Sequence, residues 1–322
     1  MRTFAALLAF VLTLPALAGR LYVTNERAGT VQVIDTATDR VIRTIVTGNR
    51  PRGVVVSPDG KRVYVARSWW HDGKHPRTGK EAILAIDAAT FAVAREYPAG
   101  TDPEGVALSP DGKQLYLSNE DAGTASIVDV ATARTRATLV VGTEPEGVTA
   151  SPDGKWVYVT AETSNVISVI DVKQARTSAN ILVDPRPRYT LFTRDSATAF
   201  ATAEIGGSVM RIDVQKKKVV DRIRLSPGDK PVGMALSPDQ KRLYVALGRG
   251  NGVAVIDLAA RRVISRIATG SRVWGIALTR DGRKLYAANS LSNTVSAIDT
   301  ATNRVVATIP TGDGPWGLAC HD

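Results

Sequence analysis

The chain has 322 residues, with 41 Lys and Arg against 31 Asp and Glu, a formal net charge of +10 and one cysteine. A single thiol excludes an intrachain disulfide, a CxxCH haem attachment and any multi-cysteine metal site. The positive excess invites a nucleic-acid or membrane-surface partner, and where the charges fall along the chain decides that point.

Residues 1–18, MRTFAALLAFVLTLPALA, read as a secretory signal peptide. Arg2 gives a positive start, Phe4 to Leu14 an apolar stretch too short to span a bilayer, and Ala16-Leu17-Ala18 an A-x-A cleavage site. The mature chain, residues 19–322, is therefore expected in the periplasm as a single domain with no membrane span after cleavage. Cys320 is expected to be a buried strand thiol.

From there the chain is a repeat. An Ile/Val-Asp or equivalent pair recurs at Asp35, Asp87, Asp129, Asp171, Asp213, Asp257 and Asp299, at spacings of 52, 42, 42, 42, 44 and 42. Each unit holds four short runs rich in Val, Ile, Leu, Tyr and Thr between turn residues, a strand pattern. In GVALSPDGKQLYLSNEDAGTASIVDVATARTRATLVVG, residues 105–142, the runs are GVALS, QLYLS, ASIVDV and RATLVV. The Ser-Pro-Asp-Gly turns and variants at Ser57, Ser109, Ser151 and Ser237 join the first two runs tightly. The repeated Asp is expected to accept hydrogen bonds from the backbone of the turn after the third run.

Seven four-stranded units of about 40 residues predict an all-β fold, a seven-bladed β-propeller. The chain starts in mid-unit, since LYVTNERAGTVQVIDTATDRVIRTIVTG (21–48) supplies the last three runs, and it ends with GLACHD (317–322), a first run alone. The two fragments complete one blade, so the ring is expected to close with strands from both termini and leave no unpaired edge.

The string YVTN at Tyr22 to Asn25, the IDTAT runs at Ile34 and Ile298 and the SPDGK hairpins make the chain resemble the YVTN-type β-propeller repeat proteins over its whole mature length. A narrower likeness lies in NILVDPRPRYTLFTRDSATAFATAEIGGSVMRIDV (180–214), GSRVWGIALTRDG (270–282) and GDGPWG (312–317). These stretches look like the periplasmic seven-bladed propeller proteins associated with PQQ-dependent (quinoprotein) alcohol catabolism. That resemblance implies a setting beside quinoprotein dehydrogenases, cytochrome c components and a transport system, for proteins not themselves known as dehydrogenases; no cofactor is expected for this chain.

Because strands alternate in direction, the turns between runs one and two and between three and four share one face, and the remaining loops share the other. The turn face collects Lys61, Arg62, Lys113, Lys155, Lys216, Lys217, Lys218, Lys241, Arg242, Arg261, Arg262, Arg283 and Lys284. Much of the positive excess is thus turn chemistry, and without aromatic platforms beside it nucleic acid is not the expected partner. On the loop face, the residue just before each first run reads Arg52, Glu104, Glu146, Arg188, Val232, Trp274, Trp316, half ionic and half apolar.

One reading closes this throat with Arg-Glu salt bridges while the tryptophans cap the core. The other makes an aromatic wall facing fixed charges a site for a small amphipathic ligand or for the loop of a periplasmic partner protein. The 52-residue spacing marks an inserted loop at about 67–80, RSWWHDGKHPRTGK, whose Trp69 and Trp70 suit partner contact. Its His71 and His75 form an H-x3-H pair, weak as a metal site because no helix aligns the imidazoles. A binding or accessory protein is the leading expectation. The alternative is a lactonase-like hydrolase on the same face, with Glu104 or Glu146 as general base and Arg52 or Arg188 stabilising the oxyanion.

Overall fold

The computed structural model describes residues 19–70 and 80–322. They form seven four-stranded antiparallel sheets, and the innermost strands of neighbouring sheets pack against one another around an axis. Numbered in chain order, blade one is the composite. Its strand Arg20–Asn25 pairs on one side with Thr30–Asp35 and on the other with Pro315–His321, in the register Leu21↔Cys320 and Tyr22↔Ala319. The ring therefore closes as the split repeat predicts. The expected signal peptide, residues 1–18, lies outside the described residues. Among those described, no helix is long and apolar enough to cross a membrane.

Strand composition follows position in the blade. The second strands, such as Trp156–Ala161, and the third, such as Gly252–Asp257, are covered on both faces by neighbouring blades and read as nearly unbroken apolar runs. The outer strands face water along one side, and Lys218–Arg224 alternates accordingly. Every second strand buries one aromatic ring at the same place, Tyr22, Tyr64, Tyr116, Tyr158, Phe200, Tyr244 and Tyr286. Such rings dominate core burial, and they fill the widening gaps between blades.

The turns behave as their composition requires. Ser57 Oγ donates to Asp59 at 2.6 Å and accepts the Arg62 N–H at 2.9 Å, and Ser109, Ser151 and Ser237 repeat the pattern. The seven repeated aspartates each accept the N–H three residues on, from Thr38, Thr90, Thr132, Gln174, Lys216, Ala260 and Thr302, at 2.7–2.9 Å. Hairpin cations pair loosely with these turns, Lys155 with Asp153 at 3.2 Å and Lys216 with Asp213 at 3.4 Å.

One difference concerns the insertion. Arg67 and Ser68, expected within it, end the strand Arg62–Ser68. Arg67 pairs with Ala82 in the ladder and reaches Glu96 at 2.9 Å, and Ser68 donates to Asp102. The apolar run beneath them carries the strand on to Ser68, so the insertion begins after it.

Candidate functional site

Innermost strands carry a bulge that aims one side chain at the axis. In blade two the pairing steps from Pro51↔Arg67 to Val54↔Val65, so the inner strand holds one residue more than its partner. Blades three, four, five and seven do the same between Pro103 and Val106, Pro145 and Val148, Pro187 and Thr190, and Val273 and Ile276. The residue after Pro, or after Val273, turns inward, and a glycine follows in six blades. That glycine is required by close approach, since a Cβ at Gly147 would stand 2.3 Å from the Arg188 carbonyl oxygen and one at Gly317 2.5 Å from that of Arg52.

Buried hydroxyls stitch the ring. Thr160 Oγ1 accepts the Gly147 N–H at 2.8 Å and donates to the Arg188 carbonyl of the next blade at 3.1 Å. Ser118 links Gly105 to Glu146 in the same way, and Thr24 links Gly317 to Arg52.

The inward residues form a circuit. Arg52 Nη2 lies 2.5 Å from Glu104 and 3.3 Å from Glu146, and its guanidinium stacks 4.4 Å from the Trp316 ring centroid. Arg188 pairs with Glu146 and Glu162, reaches Glu204 at 2.6 Å and lies 5.2 Å over the Trp274 ring. Trp274 and Trp316 complete the circle, 5.7 Å apart and tilted by 37°. An outer tier braces it, Arg50 with Glu26 at 2.9 Å and Asp102 at 3.0 Å, and Arg186 with Glu162 at 3.0 Å.

Burial governs the carboxyls. Glu104 is 0% exposed, and its oxygens meet Arg52 and, at 3.1 Å, Arg50 without hydrogen-bond alignment, so these are charge contacts only. Desolvation pushes its carboxyl well above the usual range against the pull of Arg50, with Glu120, Asp102 and Glu146 adding to the rise. Desolvation likewise brings Glu120 up to about 7, with the charges of Glu146 and Asp102 adding to the rise and Arg50 opposing it. Glu162 is also pushed up to about 7, by burial and then by Glu146. Asp102, Glu104 and Glu120 each offer a ligand atom within 4.8 Å of the others, but Arg50 Nη1 already stands 3.0 Å from Asp102 and 3.1 Å from Glu104. The guanidinium takes the place of a cation.

Below the circuit is an axial cavity of about 130 Å³ walled by all seven innermost strands. Glu146, Arg188, Trp274 and Trp316 line it, together with apolar residues such as Met234, Ile276 and Leu318. Arg52 and Glu104 stand beside the cavity, within the ionic circuit. Trp69 and Trp70 are half-buried at the mouth, where the Arg50 guanidinium lies 5.2 Å over the Trp70 ring and joins the insertion to the throat. His71 and His75 lie outside the described residues. Sequence reasoning missed Tyr189, which lines the cavity where the other blades have glycine. Its signal was its being the one exception in the column Gly53, Gly105, Gly147, Gly233, Gly275, Gly317.

Comparison with solved structures finds the same ring. A chain of hydrazine synthase from Kuenenia stuttgartiensis superposes with a TM-score of 0.74 at 24% identity, over 84% of this chain and 91% of that one. A functionally unknown protein from Desulfotomaculum acetoxidans gives 0.81 at 14% identity, over 94% and 99%. The chain is a seven-bladed β-propeller consistent with the YVTN type.

The propeller also matches two family models in part, "Lactonase, 7-bladed beta-propeller" over residues 92–185 and "Cytochrome D1 heme domain" over 194–316. Among curated relatives, it is 31% identical over 121 residues to a seven-bladed beta-propeller protein of Mycobacterium tuberculosis, covering 34% of this chain and 29% of that protein. An antigen of Leptospira interrogans is 30% identical over 107 residues, 31% of this chain and 23% of the antigen. The matched stretches thus span less than a third of these relatives' length. A haem does not fit the propeller's throat. The cavity is below the roughly 300–1,000 Å³ of ordinary ligand pockets. Among the described residues the one histidine, His321, lies against Gly60 in a hairpin turn on the opposite face.

Proposed function

We propose that this propeller is an exported, periplasmic binding or accessory protein whose throat and adjoining loops take a small amphipathic ligand or a loop of a partner protein. Its setting in this reading is PQQ-dependent alcohol catabolism, with a quinoprotein dehydrogenase or a cytochrome c as partner. One observation carries the reading, the axial cavity whose rim is half tryptophan and half fixed charge. Pockets combine apolar area with a few placed polar groups, and Trp and Arg are the residues enriched where binding energy concentrates. Residues 1–18 support export, and the likeness in 180–214, 270–282 and 312–317 supports the quinoprotein setting.

The test is direct binding of the mature protein to a purified periplasmic quinoprotein alcohol dehydrogenase and to its cytochrome c, measured by biolayer interferometry. Replacing Trp69 and Trp70 together with Ala is expected to weaken binding about tenfold or more, the scale of a lost aromatic anchor. The contact of Trp70 with Arg50 is worth about 1 kcal/mol, so the melting temperature should fall by only a few degrees. Undiminished binding by a destabilised double variant would make the tryptophans structural, and absence of binding to either protein would remove the quinoprotein setting.

The match of residues 92–185 to the lactonase model favours a second reading, since that stretch holds Glu104 and Glu146. The geometry is adverse. Glu146 has Arg52 on one oxygen and Arg188 on the other, and Glu104 is sealed among Arg50, Arg52 and Glu120, so neither presents an oxygen free of a neighbouring charge. A lactone-hydrolysis assay with and without divalent metal decides between the two, and turnover lost in Glu146→Gln would establish the hydrolase.

A further inference from the structure

The rim is not electrically uniform. In blades two and five the mouth guanidiniums are matched, Arg50 by Glu26 and Asp102 and Arg186 by Glu162 and Glu204. Blade seven breaks the pattern. Arg272 is half-buried, its Nε has no hydrogen-bond partner, and among the described residues no carboxylate pairs with it. Burial lowers its pKa from the ordinary value, and the charges of Arg249 and Arg188 act in the same direction. Glu26 and Glu204 pull the other way from a distance, but Arg50 and Arg52 hold the first and Arg186 and Arg188 the second.

Its backbone is clamped in place. The Arg272 N–H donates to Asn251 Oδ1 at 2.8 Å, and the Val273 N–H donates to the Gly248 carbonyl at 3.2 Å. That isolated bridge ties the turn of blade six that carries Arg249 to the start of the innermost strand of blade seven. Arg272 also holds φ at 54°, a left-handed state costing an L-residue about 1–2 kcal/mol. The same left-handed state recurs at Asp102, Glu144, Arg186 and Gly314, so it belongs to the repeat, and what is particular to Arg272 is its missing counter-charge. A half-buried cation without a counter-charge is unfavourable for folding alone.

Directly beneath lies the apolar half of the throat. The Arg272 guanidinium stands 5.1 Å over the Trp274 ring, Trp316 adjoins it, and Val232, Met234, Ile276 and Leu318 continue the wall downward. Glu146 also lines the cavity, with its charge met by Arg52 and Arg188.

We propose that the throat binds a small organic anion with a flat or compact apolar body. Arg272, with Arg249 beside it, holds the acid group at the mouth, and the body passes Trp274 and Trp316 into the axial cavity. The inference rests on the reading of the throat as a binding site. A guanidinium offers paired, charge-assisted hydrogen bonds to a carboxylate, whereas a cationic ligand meets the like charges of Arg272 and Arg249. The cavity, about 130 Å³, is near the ~150 Å³ that accommodates benzene, so the body is a single ring or a short branched chain.

Three probes with one ring and one chain length separate the head groups: phenylacetate, phenylethanol and phenylethylamine, titrated calorimetrically into the mature protein. Phenylacetate is expected to bind at least about tenfold more tightly than the alcohol, the low end of a hydrogen bond to a charged group, and the amine most weakly. Arg272→Gln should abolish the preference for the acid while the alcohol binds as before, and Arg272→Lys should retain part of it. Melting curves confirm that both variants are folded. Equal binding of acid and alcohol, or preference for the amine, would overturn the anion assignment and leave the throat as a binding site. Binding of none of the three would count against both. An acid preference that survived Arg272→Gln would place the anion elsewhere.

Discussion

At the scale of single residues the throat is governed by buried charge. Glu120 and Glu162 sit near 7 because desolvation outweighs the pull of their arginines. The sign of the resulting pH dependence follows from proton counts. An unfolded Glu120 loses its proton around 4.5, whereas the folded residue keeps it to about 7. Between those values the native state binds more protons, so this group makes stability fall as pH rises and contributes no further change above about 7. The hairpin aspartates act oppositely. Asp59, Asp87, Asp129 and Asp239 are held below the usual range, chiefly by hydrogen bonds from turn hydroxyls and N–H groups, and their contribution is lost in acid. Melting temperature should therefore decline from pH 5 to pH 7.5. Glu120→Gln should flatten that decline and melt several degrees higher at pH 8, on the scale of roughly 2–4 °C per kcal/mol. A wild-type melting temperature that rose across this range would show that Glu120 does not keep its proton to about 7. None of this was legible in the sequence, where Glu26, Glu120, Glu162 and Glu204 form one column of alike loop residues. What raises Glu120 is its burial, with the charges of Glu146 and Asp102 beside it.

At the scale of elements, the blade is a local object and the ring is not. The alternating runs and the Ser-Pro-Asp-Gly turns specify each four-stranded sheet from within its own 40 residues. The joints between blades use groups whose role appears only across the gap, as when Thr160 serves Gly147 in its own blade and Arg188 in the next. Thr160→Val keeps the shape and removes both bonds, leaving a buried N–H and a carbonyl less satisfied. The expected cost is about 1–3 kcal/mol, read from urea unfolding. The same position is Ala in three other blades, Ala66, Ala246 and Ala288, so the strand itself tolerates the loss. An unchanged unfolding midpoint would make the bridge ornamental to stability. In the sequence these hydroxyls pass for ordinary strand Ser and Thr.

At the scale of the whole molecule, closure is the feature on which the rest depends, because the circuit of Arg52, Glu104, Glu146, Arg188, Trp274 and Trp316 exists only when the blades return on themselves. Removing Pro315 to Asp322 deletes the innermost strand of blade one, takes Trp316 from the throat and bares the ladder edge of Arg20–Asn25. The truncated protein should melt well below the chain of residues 19–322 and self-associate on size exclusion, and identical melting of the two would refute the latch. The repeat period, the strand runs, the split between the two ends and the inward position of the seven throat residues were all determined by the sequence alone, because each is periodic and local. The tertiary structure alone decided which of those seven line a cavity and that Glu146 and Arg188 do so while held in ion pairs. It also decided that Arg50 occupies the one described acidic cluster, and that Arg272 is left without a counter-charge. The reason is physical. Periodicity assigns a side chain to a face, whereas burial, pKa and pairing depend on the few ångströms between residues that lie one or more blades apart in the chain.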